Sequence, residues 1–164
     1  MEVVEGIATV DDVDAFVADL GAIGAERGCA VQAFDARYVL GRAHLERAVE
    51  LADRARERGE AIADDPAVEI LLYAAGRRQI DRALAMGVDA GEGPVVVVVH
   101  GPDGDEAGAA AAVCDRLAPA ETLGDYDESL VREFFGIGER ESAATDAALA
   151  DLVGERVALL PVEK

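Results

Sequence analysis

The chain has 164 residues, 34 of them acidic and 15 basic, and a formal charge of −19. It is long enough to bury a real core, and one domain spanning 1–164 is the natural count. A chain this acidic repels polyanions as a whole, so neither DNA nor a membrane surface is an expected partner, and any polyanion must be met by a local exception.

Lys164 is the only lysine. A lysine-poor, Ala/Asp/Glu-rich mix suits a cytoplasm at molar salt, where the Debye length is about 3 Å and self-repulsion is screened. Most carboxylates then serve solvation. The apolar run Val95–Val99 is far too short to span a bilayer, and no signal-peptide pattern is present. A soluble cytoplasmic protein is expected. Cys29 and Cys114 are isolated in apolar runs and read as buried thiols.

Glu2–Thr9 alternates as a short strand. Thr9 and Asp12 form a capping box for a helix carrying Val13, Phe16, Val17, Leu20 and Ile23, which Gly28 stops. Cys29–Phe34 reads as a strand. Gly41–Arg58 reads as a helix with Leu45, Ala48, Val49, Ala52 and Ala55 inward. Asp65-Pro66 is an N-cap followed by proline at the first helical position, opening a helix with Val68, Leu71, Leu72 and Ala75. Gly76 interrupts it. A further helix turns Ile80, Ala83 and Leu84 inward and stops at Gly87.

Gly91–Pro94 reads as a loop. The all-valine run that follows is a central strand covered on both faces. Gly101–Gly104 is a turn, Ala107–Leu117 a small-residue helix, and Ala120–Leu123 a short strand. Asp127 caps a helix ending at Phe134-Phe135. Ser142–Leu152 reads as a helix and Arg156–Leu160 as a closing strand. The sum is an α/β single-domain sandwich with a mixed central β-sheet flanked by helices.

Catalytic patterns are missing: no Gly-x-Ser-x-Gly, no phosphate-binding loop and no metal-ligand spacing occur. The acidic loop Asp103–Glu106 lacks the ligand spacing of a calcium loop. His100, at the end of the central strand, reads as structural. No cofactor is expected.

The basic residues are unevenly placed. From Arg37 to Arg82, nine arginines match nine acidic residues, so the whole net charge lies outside that window. Within it, His44 stands one position before an apolar stripe, at the rim, where interfacial and structural roles are equally open. Arg77, Arg78 and Gln79 follow Gly76 and read as the first turn of the next helix. There, free N–H groups and guanidinium forks suit an anion. Pairing of both arginines with Glu69 or Asp81 is the equal alternative.

Gly41–Ala48 resembles a G-x-x-H-L-x-x-A segment, and Glu69–Ile80 an E-x-L-L-Y-x-x-G-x-R-Q-I segment, both of the Cgi subunits of the KEOPS complex (the PRPK-binding protein, TPRKB, family). Phe135-Gly136-Ile137 and Arg156–Leu160 are similar to that family's F-G-I and R-V-A-L-L pieces. The resemblance covers most of the chain, least so the first thirty residues and Gly101–Ala118. It implies a non-catalytic subunit that binds and stimulates the small kinase-like ATPase of KEOPS. It also implies recruitment of tRNA by its single-stranded 3′ CCA end for threonylcarbamoyladenosine modification. Mapped onto this chain, the RNA-contacting set expected is His44, Tyr73, Gly76, Arg77, Arg78, Gln79 and Ile80. Salt weakens broad electrostatic binding steeply, so a compact site using stacking and directional hydrogen bonds suits this chain better than a basic face.

Overall fold

The computed structural model describes residues 1–138 and 149–163. In chain order the elements are β1 (Glu2–Val10), α1 (Val13–Arg27), β2 (Ala30–Asp35), α2 (Arg42–Glu57), α3 (Pro66–Ala75), α4 (Ile80–Ala83), β3 (Gly91–His100), α5 (Glu106–Cys114), β4 (Ala118–Pro119), α6 (Glu128–Phe135) and α7 (Leu149–Glu163). The strands form one four-stranded sheet in the order β2-β3-β1-β4.

The valine run explains the layering. Side chains alternate across a strand, and β3 divides its valines accordingly. Val96 and Val98 enter a core built with Phe34 and the inner faces of α2, α3, α6 and α7. Val95, Val97 and Val99 enter a second core with Val4, Val31, Leu20, Ile23 and Val113, under α1 and α5. The result is an α/β single-domain fold in which a helical layer covers each face of the sheet.

The sheet itself departs from expectation. Among the described residues every pairing is antiparallel, β1 with β3, β1 with β4 and β2 with β3, so it is not mixed. Continuous valines commonly signal a parallel sheet because such sheets are covered on both faces. Here helices cover both faces of an antiparallel sheet, and the alternation disappears for the same reason.

Gly91–Pro94 is strand rather than loop, paired with Ile7–Val10. The β2 ladder stops at Val95, so among the described residues this end of β3 pairs with a strand on one side only, where proline and glycine are tolerated. Arg156–Leu160 lies within α7 instead of a strand. Leu152, Val153, Val157 and Leu160 are buried, a helical spacing that five consecutive residues are too few to reveal. The expected 142–152 helix falls partly outside the described residues.

The caps are mostly as expected. Asp65 accepts the Ala67 N–H at 2.9 Å, and Asp127 accepts the Leu130 N–H at 3.2 Å; each such cap is worth about 1 kcal/mol. At α1 the cap is Asp12, which accepts the Ala15 N–H at 3.1 Å, while Thr9 belongs to β1 opposite Glu92. The expected 120–123 strand does not form; the strand in this region is the two-residue β4 just before it, at Ala118–Pro119. Beyond β4, the Glu5 carboxylate accepts the N–H groups of Thr122 and Leu123 at 3.0 and 2.7 Å. Both cysteines are free thiols; Cys29 is partly buried, and Cys114 is exposed rather than buried.

Candidate functional site

The segment 76–80 forms the corner between α3 and α4. Gly76 adopts the left-handed conformation (φ 62°) that ends α3. Its N–H donates to Tyr73 O at 3.1 Å and the Arg77 N–H to Leu72 O at 3.0 Å, closing the helix end. A Cβ at Gly76 would lie 3.3 Å from the carbonyl oxygen of Arg156. The glycine is therefore needed twice, for its backbone conformation and for the close passage of α7.

The corner separates two neighbouring arginines. Arg77 turns inward. Its guanidinium Nη2 donates to the Phe134 carbonyl, and its Cζ lies 5.1 Å from the centroid of the Phe134 ring. Arg156 Nε donates to the next carbonyl, Phe135 O, at 3.3 Å. Two cations thus serve the C-terminal carbonyls of α6, which lack partners within their own helix. Arg78, Gln79 and Ile80 turn outward and are exposed.

The expected anion site at the next helix start does not form as such. Gln79 is the N-cap, and α4 is a single turn, so Arg77 and Arg78 precede the helix. The Arg77 N–H is already bonded to Leu72. Ile80 and Leu84 were expected inward, but they are 47% and 56% exposed while Ala83 is buried. One helical turn followed by a 3-10 turn at Leu84–Met86 has room to bury only one side. Glu69, offered as an arginine partner, is fully buried. Its two carboxylate oxygens accept the Ile62 N–H at 3.0 and 2.8 Å.

His44 is not at the rim. Its Nδ1 accepts the Leu40 N–H at 3.3 Å, so the ring proton resides on Nε2, which donates to Ala74 O at 2.8 Å. The ring also meets Phe135 edge-on at 6.0 Å. Burial pushes the imidazole pKa below its ordinary value, partly offset by the Ala74 carbonyl, and the ring is held neutral. His44 joins α2 to the end of α3, and both its nitrogens are engaged. Tyr73 is also fully buried. The seven residues therefore sort into a frame (His44, Tyr73, Gly76, Arg77) and an exposed tip (Arg78, Gln79, Ile80).

Arg156 and Phe134 are parts of this frame that sequence reasoning did not place. Arg156 opens the R-V-A-L-L piece and Phe134 stands just before the F-G-I piece, but reading the first as a strand concealed the contact. Elsewhere, His100 Nε2 lies 2.7 Å from Asp53 Oδ2. In the acidic loop, Asp105 caps α5 by accepting the Gly108 N–H at 2.9 Å and pairs with Arg27 at 2.8 Å. Among the described residues no three of His, Cys, Asp or Glu are grouped to hold a metal ion. No described helix is long and apolar enough to cross a membrane.

A search of curated proteins returns no match to the chain. A family model described as kinase binding protein CGI-121 matches residues 10–160, which include both signature segments and the whole corner. The chain belongs to the kinase binding protein CGI-121 family.

Proposed function

We propose that this chain is a non-catalytic KEOPS subunit that binds the small kinase-like ATPase of that complex and recruits tRNA by its 3′ CCA end for threonylcarbamoyladenosine modification. The family match supports the kinase partner. The observation that carries the RNA reading is the exposed tip. Arg78 and Gln79 offer directional hydrogen-bond donors, and Ile80 offers an apolar face 47% exposed, all on a corner fixed by Gly76 and Arg77. A splayed 3′ end is recognised through such contacts, by stacking and base-edge hydrogen bonds rather than by net charge. His44 and Tyr73 act here through the frame, not by touching RNA.

A second reading is a pure protein-interaction regulator of the ATPase without RNA binding. The burial of Tyr73 and the occupied His44 nitrogens favour it, because they reduce the set available to RNA. Filter binding at molar salt with intact tRNA and with tRNA lacking its CCA end separates the two. CCA-dependent binding supports recruitment. Equal or absent binding leaves the interaction regulator.

A further inference from the structure

Among the described residues four large apolar side chains are exposed, Val17, Ile80, Leu84 and Leu159. A single exposed aliphatic side chain is ordinary, but two of these four belong to one turn. The Leu84 N–H donates to the Ile80 carbonyl, so the two side chains stand one helical turn apart on the same face, with Cβ atoms about 5–6 Å apart. Leu84 is the more exposed, at 56% against 47% for Ile80. Beneath them Ala83 and Met86 are fully buried in the helical core and hold this turn against the body of the protein. The pair is a fixed apolar platform, and it adjoins Gln79, the N-cap of the same turn.

The charge around the platform differs from that of the chain as a whole. Residues 78–85 carry two arginines, Arg78 and Arg82, against one acid, Asp81, a net charge of +1 in a chain of −19. All three charged residues are exposed. An anionic ligand is opposed less here than elsewhere on this protein. Size selects further. A stable protein partner covers about 800 Å² of each surface, whereas two aliphatic side chains bounded by charged ones offer a small fraction of that. A single nucleobase, an apolar face with a polar rim, matches the platform and its surroundings.

We propose that Leu84, with Ile80, seats the terminal base of the tRNA 3′ end by its face. This rests on the RNA reading above and extends it by one residue and one nucleotide. Gln79 and Arg78 supply donors to base edges and backbone, and the platform takes the last base of the strand. That base has a stacking neighbour on one side only, so its other face is open to an apolar surface. An aliphatic platform carries no donor or acceptor, and it holds a base without reading its edge. Such a contact persists at molar salt, where phosphate contacts weaken steeply.

The test is filter binding at molar salt with three RNAs: intact tRNA, tRNA lacking only its terminal adenosine, and tRNA lacking all of CCA. The proteins are the full wild-type chain, Leu84→Gln and Leu84→Met, each first shown to unfold cooperatively. The wild type is expected to lose about tenfold in affinity when the terminal adenosine is removed. L84Q is expected to lose a similar factor on intact tRNA and nothing further on the shortened one, while L84M follows the wild type. Undiminished binding of intact tRNA by L84Q overturns the proposal and leaves CCA-dependent recruitment in place. So does an equal loss by L84Q on intact and shortened tRNA, which would make Leu84 part of the frame of the corner. Weakened binding of the kinase-like ATPase by L84Q, with tRNA binding unchanged, would assign the platform to the protein partner and overturn it as well. If the wild type does not distinguish intact tRNA from tRNA lacking CCA, the RNA reading fails and this proposal with it.

Discussion

Arg77 and Arg78 are adjacent and chemically identical, yet the fold uses them oppositely. Arg77 reaches inward to the Phe134 carbonyl and ring, beside Arg156 on Phe135. Arg78 stands outside with Gln79 and Ile80. What separates them is Gly76, whose left-handed turn sends one side chain toward α6 and the next toward solvent. A basic pair in an acidic chain is thus two devices, a clamp and a tip, and substitutions distinguish them.

The largest effect is expected at the hinge of the comparison. Gly76→Ala places a Cβ in the left-handed region and against the Arg156 carbonyl. Its cost is expected at about 3 kcal/mol, read by denaturant unfolding. A near-neutral result would mean that α7 does not press on the corner. Arg77→Ala follows, at about 2 kcal/mol, for loss of a charge-assisted hydrogen bond and of the ring contact. If it left Tm unchanged, the clamp would be idle and the two arginines equivalent.

A third effect concerns the frame beneath them. Because burial holds the His44 pKa below its ordinary value, the folded state binds that proton less readily than the unfolded chain. Stability from the neutral ring is full above about pH 6.5, the unfolded value. It is lost as pH falls below that value toward the folded pKa. Unfolding followed from pH 7.5 to 5.5 should show falling stability in the wild type and a flatter profile in His44→Gln. Equal slopes would show that His44 titrates as an exposed group.

Much of this was legible beforehand. The Asp65-Pro66 start, the Gly76 stop, the Asp127 cap and the central valine strand are local signals, set by backbone geometry within a few residues. What escaped depends on distant partners. His44 reads as rim by periodicity, yet it is buried because Phe135 closes over it, more than ninety residues along the chain. Arg77 reads as half of an anion site because its acceptor, Phe134 O, belongs to another helix. Ile80 reads as inward because a four-residue helix carries too few positions for its pattern to define a face.

Substituting Arg78 has the smallest expected effect on stability and the largest bearing on function. Arg78→Glu should remain cooperatively folded, with a smaller loss than Arg77→Ala, because its side chain is exposed. The decisive measurement is binding of intact tRNA by R78E at molar salt, beside wild type and tRNA lacking its CCA end. The account predicts CCA-dependent binding by the wild type, lost in the stably folded variant. Undiminished CCA-dependent binding by R78E would contradict the assignment of the exposed tip as the RNA grip.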